Sequence, residues 1–169
     1  MVKPNSVEIL RSTAAPYVHV SYQSVDSECL TEIKNQLRGL LIIEIDGATV
    51  RDEKDAVHVF NKALGISVDQ SPTKNTNLYW RRFEDLVQTD VDFKGRSGCV
   101  IFIKNAEQCL CGTTGGISYF ADALNKAGQE YANSQIGDYY NSQAMSFHAA
   151  FLYNERPKFG INAAPIDLS

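Results

Sequence analysis

Four cysteines, three histidines and one pair of adjacent carboxylates are the side chains best suited to chemistry in this chain of 169 residues. Cys109 and Cys111 make a Cys-x-Cys with no second Cys-x-Cys or His-x-His nearby, whereas structural zinc needs four tetrahedral ligands. Cys29 and Cys99 add no regular spacing, so a secreted disulfide scaffold is not indicated and the thiols read as reduced. His19, His58 and His148 have no obvious partner close in sequence. A histidine serves as general base only within hydrogen-bond reach of the reacting group, and these three read as surface or hydrogen-bonded packing residues. Glu84 and Asp85 are neighbours, and helix neighbours point about 100° apart, so they do not converge on one reacting atom. They read better as contact residues than as an acid/base pair. Gly112-Thr113-Thr114-Gly115-Gly116 offers backbone N–H groups ahead of a helix, but no lysine stands where a phosphate-binding loop needs one. It reads as a loop that starts a helix. Dinucleotide, nucleophile-elbow and zinc-protease motifs are absent from the sequence. No catalytic residue, metal or cofactor is therefore expected, and a binding protein is favoured over a catalyst.

The chain that must position these residues carries 20 acidic and 16 basic side chains, a net charge of -4, with 44% hydrophobic and 21% charged residues. Its length suits a single domain over residues 1–169, and its composition excludes wholesale disorder. An acidic balance counts against a nucleic-acid coat and suits a surface that meets a basic protein. No apolar run reaches the roughly 18 residues of a membrane span, and the first residues have no run of signal-peptide length. The expectation is a cytoplasmic protein without direct nucleic-acid or membrane partners.

Strands and helices alternate in the pattern. Residues 17–22 read as a short strand, and Ser24 or Asp26 then caps a helix with Leu30, Ile33 and Leu37 on one stripe and Gly39 as its stop. Residues 40–45 form a nearly continuous apolar run, as in a strand covered on both faces. Asp46-Gly47 turns the chain, and Asp52 caps a second helix whose buried face is Ala56, Val59, Phe60, Ala63 and Leu64. Residues 66–76 read as a loop, and a third helix runs over 77–88. Residues 99–103 give a second apolar strand, a fourth helix buries Ile117, Phe120, Leu124 and Ala127, and residues 147–153 form the last strand. Residues 1–16 read as a loosely docked arm, 133–142 as a loop and 156–169 as a tail. This order predicts an α/β fold with a small, mostly parallel sheet flanked by helices.

The segment 75–90 (NTNLYWRRFEDLVQTD) is the richest in binding residue types. Tyr, Trp and Arg are enriched among hot spots, and Tyr79, Trp80, Arg81 and Arg82 stand beside Glu84 and Asp85. Trp80, Phe83 and Val87 recur at helical spacing, which also fits an inward stripe.

Ile45-Asp46-Gly47, Asp52-Glu53-Lys54-Asp55, Phe60 and Leu64-Gly65 are followed in order by Tyr79-Trp80-Arg81-Arg82-Phe83-Glu84-Asp85-Leu86-Val87. This series resembles the barstar family of ribonuclease inhibitors, especially its longer barstar-like members, over about residues 40–154. Residues 17–38 look like an extra N-terminal strand-helix unit. In the register above, Trp80, Phe83, Glu84 and Asp85 match the family's inhibitory helix, Arg81 replaces its first aspartate, and only the second matches, at Asp85. Another register sets Asn77-Leu78 on the family's Asn-Leu pair. The resemblance implies an immunity protein that blocks a nuclease-type toxin with a loop-helix face of Asn77, Tyr79, Trp80, Arg81, Glu84 and Asp85. Two other readings stay open: a barstar-like module that binds a protein without inhibiting it, and an enzyme of unrecognised type, which needs a deep pocket with convergent polar groups.

Overall fold

The computed structural model describes residues 4–23, 25–64, 84, 93–136, 139–140, 143–157 and 160–168. Five strands make one all-parallel sheet: β1 (Val18–Ser21), β2 (Leu41–Asp46), β3 (Gly98–Lys104), β6 (Ser146–Leu152) and β7 (Ala164–Pro165). Their spatial order is β2-β3-β6-β1-β7. A small antiparallel hairpin, β4 (Gln135–Ile136) with β5 (Tyr139–Tyr140), stands apart from it. Among the described residues four α-helices flank the sheet: α1 (Pro4–Arg11), α2 (Ser27–Gln36), α3 (Glu53–Leu64) and α4 (Gly116–Ala132).

The apolar runs at 99–103 and 147–152 become central strands because both of their faces are covered, whereas the run at 40–45, expected to be covered on both faces, becomes the edge strand β2, with Leu41 and Ile42 partly buried and Glu44 and Asp46 exposed. In β3, Cys99, Ile101 and Ile103 join one core cluster while Val100 and Phe102 join the other. Residues of β6 divide in the same alternation, Phe147, Ala149 and Phe151 against Ala150 and Leu152. Helices α3 and α4 cover the first face, through Ala56, Val57, Phe60 and Leu64 and through Phe120, Leu124, Ala127 and Tyr131. Helices α1 and α2 cover the second, through Leu10 and through Leu30, Ile33 and Leu37. Edge-to-face rings knit the first core: Phe60 on Phe120 at 5.3 Å, Phe120 on Phe151 at 5.9 Å and Phe93 on Tyr131 at 4.9 Å. Each such phenylalanine, fully buried, is worth about 1.5–3 kcal/mol of transfer free energy.

Helix ends follow local chemistry. The Asp26 carboxylate accepts from the Cys29 N–H at 2.8 Å and starts α2, and Gly39 takes φ +97° just past its end. The Asp52 carboxylate accepts from the Asp55 N–H at 2.9 Å and starts α3. Helix α4 lies unusually close to the sheet at Gly128, where an added Cβ would stand 2.4 Å from Tyr17 Cβ and 2.9 Å from the Phe147 carbonyl oxygen.

Four other sequence expectations change. Of the expected loose arm over 1–16, the described residues 4–16 are docked: they hold α1, whose Leu10 is fully buried, because Val7, Ile9 and Leu10 supply a short apolar stripe that α2 and the sheet accept. The 156–169 tail contributes β7 beside β1 and buries Ile166 and Leu168. The segment 133–142 contains the β4–β5 hairpin rather than only loop. In α3 the buried face turns slightly, so that Glu53, Val57 and Asn61 are buried and Ala63 is exposed. At about 100° per residue Val57 and Ala63 lie equally far to either side of the Ala56–Phe60–Leu64 stripe, and the burial of Glu53 and Asn61 shows that the helix is rolled toward the Val57 side.

The N-terminal β1–α2 unit is built into the same sheet. β1 pairs with β6 in parallel, with Val18 beside Ala149 and Ser21 beside Leu152. Helix α2 then carries the chain across to β2 at the far edge.

Candidate functional site

Of the face nominated from sequence, Asn77, Tyr79, Trp80, Arg81 and Asp85 lie outside the described residues, as does the rest of the expected 77–88 helix. Glu84 is helical and half-buried. The chain leaves the described core at Leu64 and returns at Phe93, and both residues are buried in the cluster of the α3/α4 face. Because β3 begins at Gly98, this return lies at the amino-terminal edge of the sheet. Phe93 is held there by its ring contact with Tyr131, near the end of α4.

The opposite, carboxyl-terminal edge holds a polar network. In open α/β sheets this edge is the usual place for ligands. Asn105, at φ +50° just past β3, donates from Nδ2 to the Asp46 carboxylate at 2.8 Å. The same Asp46 oxygen accepts the Ala48 N–H at 3.1 Å and starts the short 3-10 turn Gly47–Thr49. Asn154 Nδ2 donates to Asn105 Oδ1 at 2.8 Å and to Glu107 Oε1 at 3.2 Å, and the Asn154 N–H donates to Glu107 Oε2 at 3.2 Å. Burial pushes the Glu107 carboxyl up, but hydrogen bonds from its own backbone and from Asn154 outweigh that and hold it below its ordinary value. A cleft of about 180 Å³ lies here, lined in part by Gln23, Asp46, Lys104, Asn105, Tyr153 and Asn154. Its amides and carboxylates are bonded to one another, which ties the ends of β2, β3 and β6 together. Beside it, Glu44 receives Lys34 at 2.6 Å and Lys104 at 3.3 Å, and the bond from Lys34 lowers its carboxyl below the usual range.

His19 and His148 are buried and bonded to each other at 3.0 Å across β1 and β6, whereas His58 is exposed on α3. Sequence reasoning placed both buried histidines in strands but missed their pairing, since 129 positions separate them. A histidine inside each of two wholly buried strands, together with the adjacency of those strands, is the signal that would have found it. Cys99 and Cys109 are buried, Cys29 is partly so and Cys111 is exposed, all as free thiols. Burial raises the Cys99 thiol far above its ordinary value and pushes the Cys109 thiol up to about 12. Among the described residues no three His, Cys, Asp or Glu side chains gather as a metal-ligand group, and no helix is long and apolar enough to cross a membrane.

Compared with models of known protein families and with curated proteins, the chain matches none.

Proposed function

We propose that this protein is an inhibitor that occludes the active site of a nuclease-type toxin, with the 77–88 segment as its contact face. The observation that carries the reading is the ordered series of barstar-like motifs across residues 45–87. The arrangement of the surrounding elements supports it: β2, β3 and β6 are adjacent and parallel, with α3 and α4 on one common face. Glu84, helical and half-buried, is consistent with a helix that keeps one side toward solvent. Inhibition of this kind needs no reaction centre. Carboxylates at Asp85 and Glu84 would accept charge-assisted hydrogen bonds from the cationic side chains of a nuclease site. The net charge of -4 would speed the encounter with a basic partner. Arg81, standing where the family has an aspartate, favours a target that is less basic at that point.

Co-expression with the product of the neighbouring gene tests the reading. Relief of growth arrest by that product is expected, and its persistence at equal expression rejects inhibition. In a binding titration against the same partner, Asp85→Ala should lose about 2 kcal/mol, roughly 30-fold in Kd, as a central contact does. An unchanged Kd rejects this helix as the contact face.

A further inference from the structure

On the α1/α2 face of the sheet, the buried His19 and His148 rings stand on neighbouring strands, with His19 Nε2 3.0 Å from His148 Nδ1. His148 Nε2 lies 2.8 Å from the Ser12 carbonyl oxygen, in the link between α1 and β1. A carbonyl only accepts, so His148 Nε2 carries the hydrogen. Its Nδ1 is then bare and accepts from His19 Nε2–H. The two bonds thus fix one neutral tautomer for each ring. A proton added at His148 Nδ1 would set two N–H groups face to face. A proton added at His19 Nδ1 would leave the bond between the rings in place but create a buried cation, which is costly without a charged partner.

Little surrounds the pair that could hold such a charge. The Tyr17 ring lies 5.7 Å from His148, and its hydroxyl donates to the Thr13 carbonyl at 3.2 Å. The backbone of Pro16 also faces His148. On α1, Glu8 is exposed and Arg11 donates to the Gln36 and Arg38 carbonyls at the end of α2. On α2, Glu28 and Glu32 are exposed and Lys34 is held by Glu44. On β1 and β6 the other buried polar groups of this region are the Ser21 and Ser146 hydroxyls, which are uncharged near neutrality. Among the described residues no carboxylate bonds to either ring.

We propose that the His19–His148 pair is an acid-operated latch that fastens the N-terminal segment 4–16 to the sheet and releases it when the pair takes up a proton. The rest of the fold does not depend on this contact. Strands β2, β3 and β6 are joined by continuous ladders, whereas α1 is held by the latch, by burial of Leu10, by the Ser6 hydroxyl on the Asp167 carbonyl and by Arg11 on the end of α2. Release would uncover apolar surface of the cluster that contains Leu37, Val100 and Phe102. Burial, with the neighbouring His148, moves the His19 imidazole down to about 4, and burial lowers His148 as well. The latch is therefore closed at neutral pH and opens only in acid. This inference is independent of the proposed inhibition.

Hydrogen exchange followed by mass spectrometry on the full chain tests it, with rates corrected for the intrinsic effect of pH. Between neutral pH and about pH 4, protection of residues 4–17 should fall about tenfold or more, to the level of an open segment, while Val100–Ile103 remains strongly protected. The double variant His19→Gln with His148→Gln keeps donors and acceptors of similar reach but cannot titrate, and its segment 4–17 should stay protected. Exchange of β3 at the rate of segment 4–17, no fall in the wild type, or an undiminished fall in the variant overturns the proposal. Imidazole 15N shifts of the wild-type protein give a second arm that does not rely on the variant folding. Protonation of the pair should share its midpoint with the opening, and opening while both rings stay neutral overturns the latch.

Discussion

Replacing Gly128 by alanine should destabilise the fold by about 2 kcal/mol, although in an exposed helix the same change would help by about 1 kcal/mol. Gly128 lies inside α4, on the side that meets β1 and β6. Its added Cβ would stand 2.4 Å from Tyr17 Cβ, 2.5 Å from Tyr17 Cγ and 2.9 Å from the Phe147 carbonyl oxygen. Carbon atoms in optimal contact are about 3.5–4.0 Å apart, so the helix or Tyr17 must retreat by about 1 Å. Neither retreats freely. The first and third of these atoms are fixed to the backbone, and the Tyr17 ring is held by its hydroxyl on Thr13 and its packing on His148. Lifting α4 would also loosen Phe120, Leu124 and Ala127, all fully buried. Overpacking typically costs about 1–3 kcal/mol. Two backbone-rooted clashes justify the upper end, and subtracting the propensity gain leaves about 2 kcal/mol.

Urea unfolding followed by far-UV circular dichroism measures this directly. With a slope near 2 kcal/mol/M, the midpoint of Gly128→Ala should fall by about 1 M. Gly160→Ala is the control, because a Cβ there meets nothing within 4 Å, and its midpoint should hold or rise slightly. A Gly128→Ala midpoint at or above that of the wild type would refute the close approach of α4 to the sheet.

Asp26→Ala removes the side-chain acceptor of the Cys29 N–H and should cost about 1 kcal/mol, seen as a lower Tm. A thiol reagent at pH 8 should label Cys111 first, since it alone among the cysteines is exposed, while Cys99 and Cys109 react only at the rate of unfolding; fast labelling of either buried thiol contradicts the packing of β3. For pH, the folded chain holds His19 at about 4 against 6.5 in the open chain, so its contribution is full above 6.5 and is lost as pH falls toward 4, by up to about 3 kcal/mol. Urea midpoints of the wild type should therefore drop faster over that window than those of His19→Gln, and parallel profiles would count against a buried neutral imidazole. Asn154→Ala deletes the side-chain bonds to Asn105 and Glu107 and should cost about 1 kcal/mol of stability, read from the same midpoints, without weakening the partner complex.

The strands were legible because burial on both faces leaves a mark. Cys99–Ile103 is buried throughout, as its continuous apolar run predicts, whereas Leu41–Ile43 carries a similar run on the edge strand β2, and the caps at Asp26 and Asp52 announce the helices that follow. The N-terminal helix was not legible, because eight residues give barely two turns and Pro4 reads as a breaker. Its stability is tertiary: Leu10, Arg11 and Ser6 each find partners more than 20 positions away, which no local pattern records. β7 was hidden for the same reason, being two residues long and including Pro165, a type tolerated on an edge strand. Along β1 and β6 the histidines His19 and His148 are polar residues within buried strands, and their rings meet diagonally across the strand pair, His19 itself lying opposite Ala150. A polar residue in a double-covered strand asks for a partner on the adjoining strand, but only the sheet order says which strand adjoins.

The described residues that flank the proposed contact segment in sequence and the polar network belong to different ends of the sheet. Leu64 and Phe93, between which the segment runs, are anchored at the amino-terminal edge on the α3/α4 face, while Asp46, Asn105 and Asn154 close the carboxyl-terminal edge. Separation of this kind lets the two respond independently, since substitutions without shared partners have nearly additive effects. The comparison of Asn154→Ala with Asp85→Ala turns that into a measurement. Loss of stability in the first with loss of affinity in the second assigns the two ends to scaffold and contact, and the reverse pairing would move the working face to the carboxyl edge.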